Sequence, residues 1–125
     1  MIELLGIEVT EIGTDYLKGT MPVDKRTHQP AGLLHGGASA AMIESLGSLG
    51  SSLIVDLEKY GIVGIEINAN HVRGVESGFV SAKVEIVHCG KSTHIWQGTI
   101  VDENNKLVCI GRLTILVVNK NRKKS

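Results

Sequence analysis

One acidic side chain, Glu44, stands in a long segment that otherwise consists of apolar and small residues. A glutamine, a histidine and a pair of glycines precede it, at Gln29, His35 and 36–37. Backbone N–H groups at the start of a helix favour developing negative charge, so a carbonyl group placed there would be polarised. A carboxylate two turns further along could act as a nucleophile or as a general base for water. This combination is suited to acyl transfer.

The segment that carries Glu44 is predicted to form one long helix over 37–57, because it contains no proline. At about 100° per residue, an apolar stripe faces the core and Glu44 points away from it. The stripe consists of Met42, Leu46, Leu49, Leu53 and Leu57. The face around Glu44 consists of small residues, namely Gly37, Ala40, Ala41, Gly47, Ser48 and Ser51. Small residues let a ligand or a partner helix come close, so the pattern alone fits both a functional Glu44 and an exposed one beside a symmetry mate.

Six segments have the composition and alternation of β-strands. They are predicted at 8–12, 16–23, 62–71, 79–89, 93–101 and 107–118. In the third of them, Val63, Ile65, Ile67, Ala69 and His71 are predicted to share one side. Two strands, a long helix and then four strands predict an α+β domain, with a mainly antiparallel sheet of five or six strands curved around the helix. A sheet this short leaves edges to cover, so we expect the chain to oligomerise.

Composition narrows the possible partners and compartments. With 13 basic and 13 acidic residues in 125, the net charge is zero, which gives no electrostatic case for nucleic-acid binding. No apolar run approaches the ~18 residues that span a bilayer, and no secretion signal is recognisable. Cys89 and Cys109 lie in alternating apolar runs and are interpreted as reduced core or near-core residues. We therefore expect one cytoplasmic domain over 1–125 that binds no membrane, with a disordered basic tail at 120–125.

Other candidate chemistry is weaker. None of the five histidines has a partner at a metal-ligand spacing, so no metal site is expected. The turn GKST at 90–93 imitates the end of a phosphate-binding loop, but Glu85 stands where that motif needs a glycine and a strand follows in place of a helix. Hydrolysis of a nucleoside triphosphate is therefore rejected, although the turn is a plausible seat for a phosphate. No G-x-S-x-G elbow indicates a serine hydrolase.

Four stretches together resemble the hotdog-fold acyl-CoA thioesterases. They are QPAGLLHGGASAAMIESLGS, GIEINANHVR, HCGKSTHIWQ and CIGRLTI, and the resemblance covers 8–116. The most similar branch includes 1,4-dihydroxy-2-naphthoyl-CoA thioesterase of menaquinone synthesis and the Arthrobacter-type 4-hydroxybenzoyl-CoA thioesterase. The resemblance implies a hotdog fold in which the sheet wraps the long helix. It also implies homodimers with active sites shared across the subunit interface, often assembled into homotetramers.

The resemblance further implies roles for single residues. Glu44 matches the catalytic carboxylate, and Gly36 matches the residue whose amide polarises the thioester carbonyl. Gln29 and His35 match side chains that position the thioester and the attacking water. Ser48 matches a polar helper on the partner side of the site.

Three segments match the parts of the family that hold coenzyme A. The residues are Gly64, His71, Val72, Arg73, Gly74, His88, Cys89, Gly90, Lys91, Ser92 and Thr93. Arg73 and Lys91 would contact the phosphates, and the alternative is that both are ordinary charged residues of exposed turns.

The leading hypothesis is hydrolysis of an aromatic or medium-sized acyl-CoA to the free acid and CoA, without a metal or a cofactor, since CoA is part of the substrate. The alternatives are a non-hydrolytic acyl-CoA-binding or regulatory module and a structural oligomerisation domain. Many members of the family carry about 15 to 20 further helical residues before the first strand. This chain reaches its first predicted strand at 8, so the closure of the acyl pocket, and with it the acyl group, is left undetermined.

Overall fold

The computed structural model describes residues 2–120, which form a six-stranded antiparallel sheet wrapped around one long helix. The elements are α1 (Ile2–Leu5), β1 (Glu8–Ile12), β2 (Tyr16–Pro22), α2 (Gly36–Ile54), β3 (Tyr60–His71), β4 (Phe79–Cys89), β5 (Thr93–Val101) and β6 (Leu107–Asn119). The predicted α+β architecture, with the hotdog arrangement of helix and sheet, is confirmed. Apart from Lys120, the predicted basic tail lies outside the described residues. None of the described helices is long and apolar enough to cross a membrane.

The strand order is β1-β2-β4-β5-β6-β3, and every neighbouring pair is antiparallel. The strand that follows α2 in the sequence, β3, therefore lies at one edge and pairs only with β6 among the described strands. An edge strand presents unpaired backbone N–H and C=O groups to a further strand. Two large apolar side chains, Val63 and Ile65, are exposed on this edge.

The alternation predicted for β3 is broken by a bulge. Its register with β6 shifts between Gly64 and Glu66, which changes the side to which the following residues point. Ile67 and Ala69 pack against the core, whereas Val63 and Ile65 are exposed by 50% and 57%. The prediction that these residues share one side is therefore wrong.

The core lies between α2 and the inner face of the sheet. Met42, Ile43 and Leu46 are fully buried. Small residues of α2 let the sheet come close, because a Cβ added at Gly50 would lie 2.4 Å from Cη2 of Trp96. The helix thus packs through both its large apolar and its small side chains.

Part of the predicted helical stripe is wrong. The helix ends at Ile54, where the N–H of Val55 donates to the carbonyl of Ser51. Leu53 and Leu57 are exposed, and Leu57 lies beyond the helix, whereas Ser51 is fully buried. A straight stripe assumes that the helix meets its neighbours in one direction, but the curved sheet covers a different side of α2 near its C-terminus. Ser51 is therefore not part of the open face around Glu44.

The two cysteines have different environments. Cys109 on β6 is fully buried, as predicted, and burial raises the pKa of its thiol. Cys89 is exposed at the end of β4, so the prediction that it is a core or near-core residue is wrong.

Candidate active site

The start of α2 is organised by the side chain of His35. His35 is the N-cap residue, and its Nδ1 accepts a hydrogen bond from the N–H of Gly37 at 2.7 Å. This bond satisfies one of the donors that the first turn of a helix leaves free. The N–H of Gly36 has no acceptor within residues 2–120, so it remains available to an oxygen atom from outside the chain.

His71, at the end of β3, lies against this free amide. A Cβ added at Gly36 would lie 2.9 Å from Nε2 of His71, so only a glycine lets the imidazole approach this closely. Gln29 is in the loop that leads to the helix, and its Oε1 accepts a hydrogen bond from the N–H of Ala31. Three of the predicted site residues, His35, Gly36 and His71, thus meet at the start of α2, whereas Gln29 is in the preceding loop.

The Glu44 carboxylate lies beside the edge strand. Its side chain is exposed, and no hydrogen bond or ion pair engages it among the described residues. A Cβ added at Gly64 of β3 would lie 3.2 Å from Oε2 of Glu44. Ser48, one turn further along α2, is partly buried. Gly64 therefore leaves open space next to an unpaired carboxylate.

Within one chain, Glu44 and Gly36 are too far apart to act on the same carbonyl group. The two residues are eight positions apart on α2, which corresponds to about 12 Å along the axis. An oxyanion donor must lie about 3 Å from its oxygen. The remaining gap is longer than a glutamate side chain can cross.

The predicted CoA-binding residues divide between the two ends of the sheet. His71 pairs with Cys109 near the start of β6, and Thr93 pairs with Leu116 near its end. Seven residues of strand separate these partners, which is about 23 Å. The two predicted phosphate contacts, Arg73 and Lys91, therefore lie at opposite ends of one chain.

The segment after β3 is near the turn between β5 and β6. The N–H of Val72 donates to the carbonyl of Val108 at 2.9 Å, and Gly74 lies beside Leu33. Backbone hydrogen bonds from Lys106 and Asn104 lower the pKa of Asp102 in that turn, and the charge of Arg73 lowers it further. Arg73 is thus close to this turn.

The other segment, at 88–93, spans the end of β4, the turn at 90–92 and the start of β5. The N–H of Gly90 donates to the carbonyl of Thr93 at 2.9 Å, and Ser92 accepts a hydrogen bond from the N–H of Val117 at 2.8 Å. Lys91 and Ser92 are exposed, and the imidazole of His88 lies beside Gly90. The turn therefore presents a lysine and a hydroxyl group to solvent.

The structure also contains a polar group that the sequence analysis did not single out. His94 is exposed by only 2%, and its Nδ1 lies 2.7 Å from Oγ of Ser51. Nε1 of Trp96 donates to the same Oγ at 2.8 Å. Burial lowers the pKa of His94, and the charge of His88 lowers it further. The sequence contained a signal for the burial of His94, because strand alternation places it on the same side of β5 as the inward-facing Trp96, Gly98 and Ile100.

In the part of the chain that the structure describes, no group of three or more His, Cys, Asp or Glu side chains is arranged to hold a metal ion.

Comparison with known proteins identifies an enzyme family that this chain matches. A family model described as the thioesterase superfamily matches residues 31–109. A Pseudomonas aeruginosa protein described as a putative esterase is 50% identical over 116 residues, which cover 93% of this chain and 80% of that protein. The 1,4-dihydroxy-2-naphthoyl-CoA hydrolase of Escherichia coli is 46% identical over 118 residues, which cover 94% and 86%. The crystal structure of a mutant thioesterase from Pseudomonas aeruginosa has a TM-score of 0.92 and 48% identity, covering 94% of this chain and 85% of that chain.

Proposed function

Because this chain belongs to the thioesterase superfamily and is a thioester hydrolase, we propose that it hydrolyses an aromatic or medium-sized acyl-CoA to the free acid and CoA. The observation that carries the proposal is the exposed, unpaired Glu44 carboxylate with the open space left by Gly64 beside it. A free helix N-terminal amide, that of Gly36, supplies the complementary electrophilic group. Carboxylate and amide are the two groups that hydrolysis of a thioester requires.

In the proposed reaction, the thioester carbonyl accepts a hydrogen bond from the N–H of Gly36, which stabilises the oxyanion of the tetrahedral intermediate. Glu44 attacks the carbonyl carbon directly or takes a proton from the water that attacks it. The C–S bond then breaks, and CoA leaves as a thiolate that takes up a proton. On the direct route this leaves a mixed anhydride of the acyl group and Glu44, which water hydrolyses to release the free acid and restore the carboxylate. A single turnover in ¹⁸O-labelled water tests for this route, because water that attacks the Glu44 carbonyl of the anhydride leaves ¹⁸O in Glu44 and an unlabelled oxygen in the product.

We assign the complete site to two copies of the chain. In an antiparallel pairing of β3 with β3 of a second copy, Gly64 lies opposite His71 when the two-fold axis passes between Ile67 and Asn68. Glu44 of one copy then lies near the helix start of the other. This arrangement also covers Val63 and Ile65, the exposed apolar residues of the edge.

A second level of assembly follows from the outer face of the sheet. Ile110 and Leu116 are 36% and 37% exposed there, on the side of β6 opposite the buried Cys109, Leu113 and Ile115. We propose that two dimers meet through this face as a homotetramer. Analytical ultracentrifugation measures the assembly directly, and a monomer at micromolar concentration would overturn both levels.

The proposed CoA contacts are made by two exposed turns, with Arg73 from one copy and Lys91 from the other, because the two turns lie at opposite ends of a single chain. Arg73 and Lys91 are exposed cations suited to phosphate groups, and Gly90 and Ser92 shape the second turn. Val72, Gly74, His88 and Thr93 complete the proposed binding surface. Substitution of Arg73 or Lys91 by Ala raises KM for the CoA ester without a matching loss of kcat.

The acyl group is held mainly by aliphatic and glycine surfaces. The single tryptophan, Trp96, is buried in the core, so we do not expect it to contact the acyl group. The decisive experiment ranks kcat/KM over benzoyl-, naphthoyl-, phenylacetyl- and short fatty acyl-CoA with a chromogenic assay for released thiol. A preference for an aromatic or medium-sized ester supports the proposal, and no thiol release above the uncatalysed rate with any of them contradicts it.

A further inference from the structure

A cleft lies at the end of the molecule where α2 stops, apart from Glu44 and from the helix start. Its volume is about 650 Å³. Apolar side chains from the end of α2 and from β6 line it, together with Asp56, Tyr60 and Lys91. Cys89 and His94 are also part of its wall. The cleft therefore combines room for a small molecule with a thiol and an imidazole.

Cys89 and His94 are in direct contact. Sγ of Cys89 lies 3.7 Å from Nε2 of His94, within the range of a hydrogen bond to sulfur. The other ring nitrogen, Nδ1, lies 2.7 Å from Oγ of Ser51. Trp96 donates its indole N–H to that same oxygen. Four side chains from α2, β4 and β5 thus form one chain of contacts that ends at an exposed thiol.

The direction of these hydrogen bonds can be worked out. Oγ of Ser51 already accepts the indole N–H, and within residues 2–120 its own proton has one acceptor, Nδ1 of His94. Nδ1 is then unprotonated. Since burial keeps the imidazole neutral, its single proton is on Nε2, which faces the sulfur of Cys89. The N–H of His94 is therefore placed to donate to a thiolate.

The second cysteine provides an internal contrast. Cys109 is fully buried, and no hydrogen bond to its sulfur occurs among the described residues. The thiolate is the reactive form of cysteine, and it requires both access and a stabilising environment. Cys89 has the access, the donor and the adjoining cleft, and Cys109 has none of them.

We infer that Cys89 is a site of covalent modification, at which a low-molecular-weight disulfide such as oxidised glutathione or CoA disulfide forms a mixed disulfide with the protein. The Cys89 thiol first loses its proton to solvent. The thiolate attacks one sulfur of the small disulfide, so that a new S–S bond forms while the original S–S bond breaks. The other half leaves as a thiolate and takes up a proton. No further oxidant is needed, because the small disulfide is itself reduced.

The cleft has room for the group that becomes attached to Cys89. The half of the disulfide that stays attached begins at Sγ of Cys89 and extends along the wall formed by Ile54, Val55 and Val117. Lys91 and Tyr60 offer polar contacts to an anionic group of that half. The cleft shares Gly90, Lys91 and Ser92 with the proposed CoA-binding surface but none of the residues assigned to the acyl-transfer step, so adduct formation at Cys89 can be tested without thioesterase activity.

The experiment exposes the native full-length protein to oxidised glutathione or to CoA disulfide and locates the adduct by peptide mass mapping. We expect one adduct per chain at Cys89, reversible by dithiothreitol, with Cys109 reacting only after denaturation. The Cys89→Ser variant, altered at an exposed position, gains no adduct. Addition at Cys109 before Cys89, or no native adduct with either disulfide, overturns the inference. The two disulfides show which attached group the cleft prefers.

A second measurement tests His94 as a positioning residue. Uncharged iodoacetamide reports the alkylation rate of Cys89 at pH 7, and the other titratable residues that line the cleft are His94, Lys91, Asp56 and Tyr60. In His94→Leu we expect this rate to fall about tenfold, and in His94→Gln, whose side chain keeps an N–H donor, to fall less. An unchanged rate in a folded His94→Leu protein contradicts the role assigned to His94. An alkylation rate in the native parent no faster than that of denatured protein contradicts the inference itself.

Discussion

Oε2 of Glu44 lies so close to Gly64 that a Cβ added there would stand 3.2 Å from it. The carboxylate comes from the middle of α2 and the glycine from the edge strand β3, 20 positions further along the chain. Because Gly64 has no side chain, the carboxylate faces open space at the edge of the sheet. This relationship links the proposed chemistry to the proposed assembly, since the same edge would receive a second copy.

Glu44→Ala is expected to lower kcat by about 10²- to 10⁴-fold, because the variant lacks the proposed nucleophile or general base. Glu44→Gln should show a similar loss, since an amide neither accepts the proton nor attacks. Steady-state kinetics on the best acyl-CoA measures both. Glu66→Gln, which removes an exposed carboxylate from the adjacent strand β3, is the control and should keep parental activity. Wild-type turnover by folded Glu44→Ala would refute the mechanism.

Gly64→Ala is expected to lower kcat by about 10- to 100-fold, because its methyl group displaces the Glu44 carboxylate. Gly61→Ala is a matched control on the same strand, since a Cβ there meets no atom within 4 Å. Thermal unfolding of both variants checks that the fold is retained. Equal kinetics for the two variants would show that the space beside Glu44 has no role.

Gly36→Pro removes the proposed oxyanion donor and is compatible with the backbone of the helix start. Proline is well tolerated at the first helical position, and His35 already has an extended backbone with φ −72° and ψ 131°. We expect kcat to fall about 10²- to 10³-fold. Gly36→Ala places the same Cβ near His71 but keeps the N–H, so the difference between the two variants isolates the donor. Similar activity of both would exclude this amide as the oxyanion donor.

Mixing Glu44→Ala with Gly36→Pro is expected to restore activity if each site combines two copies. Half of randomly paired dimers are mixed, and each mixed dimer has one intact site, so the mixture should reach about one quarter of parental activity. The two proteins are unfolded and refolded together, and each variant refolded alone is the control. Activity no greater than the sum of the separate variants would place both groups in one chain.

The stability of the fold is expected to decrease below about pH 6.5 because of His94. Burial lowers its pKa in the folded state, so in mildly acidic solution the unfolded chain binds the proton more readily than the folded chain does. The stabilisation is therefore complete above the ordinary pKa of histidine and is lost as the pH falls, by at most about 1.4 kcal/mol per pH unit. Urea unfolding between pH 5 and pH 8 measures this dependence. In His94→Gln the free energy of unfolding should depend less steeply on pH. Identical slopes for the variant and the parent would contradict the assignment of this pH dependence to His94.

Much of this fold was predictable because the signals were local. Six strands with alternating apolar residues and one proline-free helix predicted the element order and most boundaries. The errors occurred where distant parts of the chain meet. Val63 and Ile65 are exposed because β3 bulges against β6, and Leu53 is exposed because the curved sheet leaves that side of α2 uncovered.

The candidate site was likewise predictable only in part. The sequence by itself determined which groups can do chemistry, namely a carboxylate on a small-residue helix face and a glycine pair at the start of that helix. Only the tertiary structure decided what lies beside them: Gly64 next to Glu44, His71 next to Gly36, and the buried Ser51 joined through His94 to Cys89. Residue type and helical period are properties of neighbouring residues, whereas these contacts depend on strand order and register across the whole sheet.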